Sequence, residues 1–137
     1  MKTSKKDYKI FKIAVLQWMK YFNLKDWDVF FLHSNLDSPL AKSRYNINSR
    51  QITFTLSKTW PKWMYNKEQL YKTAYHEVIE SALIGKLILL AINRYVSEDE
   101  IIAAGHEIVM TLQNTVFEDM WDKVKKIDVK KEISSNY

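Results

Sequence analysis

With 137 residues, 47% of them apolar and 14% aromatic, the chain can bury one core and is too short for two. It has no cysteine, which excludes disulfides, thiolate metal sites and thiol catalysis and makes a cytoplasmic setting the simplest expectation. The net charge of +5 is uneven: residues 1–66 hold twelve Lys/Arg against four Asp/Glu, residues 67–121 four against nine, and residues 122–137 five against three, so an anionic partner such as nucleic acid would meet the front half.

The amino terminus is basic, but Lys9, Lys12, Gln17 and Lys20 interrupt its apolar residues, so neither a signal peptide nor a membrane span is expected. In YKIFKIAVLQWMKYF, the residues Ile10, Ile13, Ala14, Leu16, Trp18 and Phe22 recur at three- and four-residue spacing and predict an amphipathic helix over 7–23. Three short segments rich in aromatic and β-branched residues follow, WDVFFLH, LAKSRYNI and QITFTLS, separated by the turn-prone SNLDSP and NSR. They read as three strands, the last two a hairpin.

Pro61 ends the sheet, with Trp60 and Trp63 on either side of it as candidates for exposed contacts. Asn66 with Gln69 reads as the cap of a helix over 67–91, and Ser97 with Glu100 as a capping box opening a second long helix through residue 121. The NRYV link is short enough to make the two helices antiparallel neighbours. The fold class is therefore α+β, with a single domain over 1–125 and a flexible, polar and basic tail over 126–137. The longest apolar run, SALIGKLILLAI, contains Lys86 and is shorter than the roughly 18 to 20 residues that cross a bilayer.

One stretch of the second helix, AYHEVIESALIG, places His76, Glu77 and Glu80 in an otherwise apolar run. Residues four apart share a helix face, so His76 and Glu80 project side by side, while Glu77 is turned by about 100°. That is a chelating pair. A divalent ion needs a third ligand from elsewhere, and an antiparallel partner helix turning near residue 94 brings His106 close to Glu80. His106 flanks an expected stripe of Ile102, Val109 and Leu112, which points it into the seam. The chain's two glycines, Gly85 and Gly105, lie in these same helices, where each costs about 1 kcal/mol relative to alanine, a sign of close backbone approach.

HEVIE resembles the H-E-x-x-H helix of zincin metallopeptidases. The wider layout, with the strand WDVFF, a small sheet, the motif helix and a long helix bearing AAGHEIVMTLQN, is similar over residues 10–118 to the small zincin-like metallopeptidases encoded in phages and prophages. That resemblance implies a zincin-like fold, a divalent metal, zinc or else manganese, held by His76, Glu80 and His106, and Glu77 as the general base that activates water for peptide hydrolysis. It implies a peptide or protein substrate laid along the edge of QITFTLS, an oxyanion donor among Tyr45, Tyr71 and Tyr75, and a bacterial host cytoplasm as the setting.

Two positions depart from the family's pattern. Glu80 stands where the motif has its second histidine, and Gly105 where a glutamate precedes the third ligand; a carboxylate ligand acidifies bound water less and favours harder ions.

Two other readings compete. The same fold can be a catalytically inactive module that engages a host protein or a nucleic-acid complex. The polar residues can also be structural, with His76 and His106 hydrogen-bonded in the interior, Glu80 accepting from one of them and Glu77 facing solvent beside Lys72 or Thr73. His33 and Glu107 are expected to be surface residues, and the tryptophans to be mostly core. No Gly-rich phosphate loop and no G-x-S-x-G elbow occurs.

Overall fold

The structure is a computed structural model that describes residues 1–92 and 97–124. Helix α1, Lys5–Tyr21, starts two residues earlier than its periodicity predicts because Ser4 caps it. Ser4 Oγ accepts the Asp7 N–H at 3.1 Å and Asp7 Oδ2 accepts the Ser4 N–H at 2.6 Å, satisfying two otherwise orphaned donors. The helix buries Ile10, Phe11, Ala14, Val15, Trp18 and Met19, whereas Leu16, expected in the stripe, is rotated out to solvent. It ends where Asn23 takes the left-handed conformation, φ 56°, which asparagine tolerates better than most residues.

Strands β1 (Asp28–Ser34), β2 (Ala41–Asn46) and β3 (Gln51–Ser57) form one sheet in the order β1-β3-β2. The expected β2–β3 hairpin is present, its turn held by Asn46 Oδ1, which accepts the N–H groups of Asn48 and Ser49 at 3.0 and 3.1 Å. Arg50 closes that turn with φ 56° and lays its guanidinium over the Trp27 ring at 4.3 Å. β1 joins the other side of β3 in parallel, pairing Phe31 with Phe54.

That pairing corrects one expectation. QITFTLS is the central strand, so its hydrogen-bonding groups are engaged on both sides, and the edge beside the motif helix belongs to β2. Alternation along β2 sends Ala41, Ser43 and Tyr45 to the helix-covered face and Lys42, Arg44 and Asn46 to solvent.

After the sheet, Trp60 is 1% exposed, with its indole N–H on the Leu40 carbonyl at 3.0 Å, while Trp63 is 81% exposed; only the second of the two is a surface residue. Helix α2, Lys67–Glu77, is capped by Asn66 Oδ1 accepting the Gln69 N–H at 2.8 Å. It continues into a wide π turn, Val78–Leu83, in which the Ile84 N–H reaches five residues back to the Ile79 carbonyl at 3.0 Å, and then into α3, Gly85–Ile92. Ser81 contributes to the widening, because its hydroxyl donates to the Glu77 carbonyl within the same turn.

The partner arm is α4, Glu98–Leu112, opened by the predicted Ser97–Glu100 capping box, then a second π turn, Gln113–Phe117, and α5, Glu118–Val124. Each expected long helix is thus present, with a π turn inside it. The two arms run antiparallel, as the descending pairs Ile88 with Gly105, Tyr75 with Phe117 and Tyr71 with Trp121 show. The NRYV link and the expected tail fall at 93–96 and 126–137, outside the described residues. No helix among the described residues is long and apolar enough to cross a membrane.

One of the two glycines does different work from that expected of it. A Cβ on Gly85 would stand 2.8 to 3.0 Å from the phenol end of Tyr45, and one on Gly105 would stand 2.9 Å from Ile88 Cδ1. Only Gly105 serves the contact between helices; Gly85 makes room for a strand residue. Helix propensity alone predicts that Gly85→Ala stabilises by about 1 kcal/mol. The Tyr45 contact reverses that sign, and urea denaturation should show Gly85→Ala losing about 1 to 2 kcal/mol, while Gly105→Ala, opposed only by the mobile end of Ile88, stays near neutral.

Candidate active site

Helix α2 delivers His76 and Glu77 to the side of the sheet where β2 ends the order, and the π turn carries Glu80 just beyond them. All three line a cleft of about 490 Å³ together with Ser43 and Tyr45 of β2 and His106 of α4. The four polar residues singled out in the sequence therefore meet in one place. His76 Nε2 lies 3.5 Å from Glu80 Oε2, and the His76 and His106 rings have centroids 5.7 Å apart with planes inclined at 60°. The route by which His106 arrives differs from expectation: the buried stripe of α4 is Ile101, Gly105 and Val109, with Ile102 exposed, so His106 sits beside the seam at the rim of the cleft.

Glu77 departs furthest from expectation. It is 7% exposed, not facing solvent beside Lys72 or Thr73, and its Oε2 accepts the Ser43 hydroxyl at 2.8 Å across the gap between helix and strand. Burial pushes its carboxyl up to about 7, and the neighbouring Glu80 carboxylate pushes the same way, against the Ser43 hydrogen bond and the His76 charge. Glu80, by contrast, is held below the usual carboxylate range by its contact with His76 and by the charges of both histidines. His76 is raised above the ordinary imidazole value, chiefly by Glu80 and against its own burial, with Glu77 and Gln113 adding to the effect. Two carboxyls three residues apart are thus driven in opposite directions, one toward a group that exchanges protons near neutrality and one toward a fixed anion.

Of the three tyrosines, Tyr71 and Tyr75 are fully buried. Tyr75 packs edge-on against Trp18 at 4.6 Å and near Phe117 at 5.6 Å, in the aromatic core behind the site. Neither reaches the cleft. Tyr45 does, and burial and the Glu80 charge raise its phenol, so it remains a hydrogen-bond donor at neutral pH. Glu107 is exposed, and His33 lines a different cleft, as expected for residues outside the site.

Two participants were not singled out in the sequence. Ser43 is the one aliphatic hydroxyl on the inward face of β2, the small polar member of an Ala-x-Ser-x-Tyr alternation between charged residues. Gln113, on the second π turn, lines a smaller hollow of about 220 Å³ on the other side of His76 and Glu77; nothing local in its sequence marks it.

Among the described residues no three His, Asp or Glu side chains stand already arranged as a metal-ion cluster. The donor chemistry nevertheless fits a borderline or hard divalent ion: two imidazoles and one carboxylate open onto a common cleft. Two imidazoles sharing a tetrahedral ion, with Zn–N about 2.0 Å, have ring centres roughly 5 Å apart, so the 5.7 Å seen between His76 and His106 asks for a small closing movement. Glu80 would have to turn from His76 toward the same point. Comparison with family models, with curated proteins and with solved structures found no match for the chain.

The raised Glu77 carboxyl has a measurable consequence. The folded state prefers its protonated form, so its contribution to stability is full below about 4.5 and is lost as pH rises through about 7, a span worth at most about 3 kcal/mol. In protein kept free of divalent metal, Glu77→Gln is expected to be more stable than the parent by about 1 to 3 kcal/mol near pH 8 and to lose that advantage near pH 5. Denaturation curves at the two pH values check this; a difference independent of pH would mean that Glu77 titrates normally.

Proposed function

We propose that the chain is a metal-dependent peptidase of zincin-like architecture, related in layout to the small phage and prophage enzymes that its motif helix resembles. The observation that carries this reading is Glu77, a buried carboxyl pushed to about 7, set beside two imidazoles and a carboxylate in a cleft that borders the edge strand of the sheet.

His76, Glu80 and His106 would hold a divalent ion, zinc or else manganese, which supplies Lewis acidity toward a carbonyl oxygen and toward water. Glu77 accepts a proton from the attacking water; at a value near 7 it can also return that proton to the leaving amine. Ser43 holds the Glu77 carboxyl in place through its hydroxyl and limits the upward shift. Tyr45, a donor at the rim, is placed to hydrogen-bond an oxygen that gains charge as the carbonyl is attacked. An extended peptide would pair with β2, whose Ser43 and Tyr45 already face the cleft, and not with the central β3.

A second reading has its own support. His76 Nε2 and Glu80 Oε2 lie 3.5 Å apart, so with the imidazole protonated they pair without a metal, which suits a zincin-like module that has lost catalysis and engages a host protein or nucleic-acid complex in the bacterial cytoplasm.

Metal binding separates the peptidase reading from a module held together without a metal and from a purely structural cluster. Zinc or manganese at about a hundred times its dissociation constant should stabilise the chain by about 2.7 kcal/mol, visible as a raised unfolding midpoint that a chelator reverses. His106→Ala and Glu80→Ala should abolish the response. Glu77→Gln should keep it while eliminating peptide cleavage; cleavage surviving Glu77→Gln would remove the general base assigned here, and no response to either ion would reject the centre.

A further inference from the structure

A second polar cleft lies away from the motif, where β1 and β3 end side by side and the first residues of the chain cross them. It has a volume of about 470 Å³ and is lined by Lys2, Thr3, Lys5, His33, Asn35, Lys58 and Thr59. Three lysines and a histidine line this space, and none of the lining residues is acidic. None of the three lysines forms an ion pair among the described residues.

Their gathering is imposed by the backbone. Lys2 bridges Thr59 as an antiparallel pair, the Thr3 N–H donates to the Lys58 carbonyl at 2.9 Å and the Lys58 N–H to the Ser34 carbonyl at 2.9 Å. Lys5 is the first residue of α1, whose N-terminus adds partial positive charge to the same region. Two separate segments, residues 2–5 and Lys58, are thus pinned with three like charges together, an arrangement that a bound anion would relieve. The nearest acid is not available for that part: Asp7 Oδ2 already accepts from Ser4 N–H, Ser4 Oγ and Tyr65 Oη, each at 2.6 Å.

His33 is fixed in the wall of this cleft. Its ring stacks on Tyr8 at 4.9 Å, and its Nε2 meets Thr3 Oγ1 at 2.7 Å. Thr3 spends its single hydroxyl proton on the Ser57 carbonyl at 2.8 Å, so it must accept from His33, and Nε2 carries the hydrogen. Burial and the Lys58 charge hold the imidazole below its ordinary value, with Asp7 pulling weakly the other way. The charged and titratable neighbours here are Lys2, Lys5 and Lys58 around the cleft and Asp7 and Tyr8 on α1, and an added dianion would favour the imidazolium.

We propose that this cleft is a binding site for a phosphate group, presented either by a small phosphorylated compound or by a nucleic-acid backbone. Lysine ammoniums act as point charges toward such a group, and the Asn35 amide and Thr59 hydroxyl add neutral donors. The volume accommodates a phosphate together with part of the molecule that bears it.

The test uses the full chain, titrated separately with orthophosphate and with a short single-stranded oligothymidylate, followed by amide and histidine NMR signals. Saturable shifts at Thr3, His33, Lys58 and Thr59, with an upward move of the His33 titration, support the site. The double variant Lys5→Gln with Lys58→Gln should bind about tenfold more weakly, and Lys86→Gln, which removes an exposed charge elsewhere, should bind as the parent does. Both replaced lysines are exposed and unpaired, so the fold is retained. Saturation by orthophosphate identifies a small compound as sufficient; binding of the oligonucleotide alone, weakening steeply with salt, identifies a nucleic-acid backbone. Absence of shifts at these residues with both probes, or undiminished binding by the double variant, overturns the proposal.

Discussion

The hydrogen bond from Ser43 to Glu77 joins the edge strand to the motif helix through a carboxyl that water scarcely reaches. A carboxyl so placed is costly to ionise, and it is tolerable because a hydroxyl faces it on one side and an imidazole lies close by. The rest of the site is arranged around this constraint. α2 must lie against β2 for the contact to form, which fixes His76 at the mouth of the cleft, and the opposing arm must cross nearby for His106 to face it.

That crossing rests on aromatic packing behind the cleft. Trp18, Tyr75, Phe117 and Trp121 pack behind the site with centroid separations of 4.6 to 6.1 Å, tying α1, α2 and the second arm into one body. In front of this aromatic wall the polar groups are few and mutually dependent. Lys72 braces the far side by pairing with Glu118 at 3.0 Å, linking α2 to α5 across the same seam. The electrostatic contrast between Glu77 and Glu80 is therefore a property of the packing: one carboxyl sits beneath the surface and the other on it, although they occupy adjacent turns of one helix.

Much of this was legible in the sequence where the signal is local. Capping pairs such as Ser97 with Glu100, the hairpin of LAKSRYNI with QITFTLS and the four-residue spacing of His76 and Glu80 depend on neighbours in the chain, and each is found where the residues place it. What was not legible depends on distant partners. The parallel pairing of β1 with β3 is a choice among strands that look alike, and it moves the free edge from QITFTLS to β2. Ser43 and Gln113 matter only through what the fold sets opposite them. Trp60 and Trp63 are chemically identical and three residues apart, yet the sheet covers one and leaves the other bare.

The π turn at Val78–Leu83 makes the length of its helix an inheritance that is hard to revise. This stretch already absorbs one residue more than the regular pitch holds, so a further inserted residue would swing everything after it by about 100° about the helix axis. Ile84 and Ile88 would then leave the glycine they rest on, and Gly85 would no longer face Tyr45. Evolution along this segment should therefore proceed by exchanging residues without adding to their number, so that gain of a single codon would do more harm than most replacements.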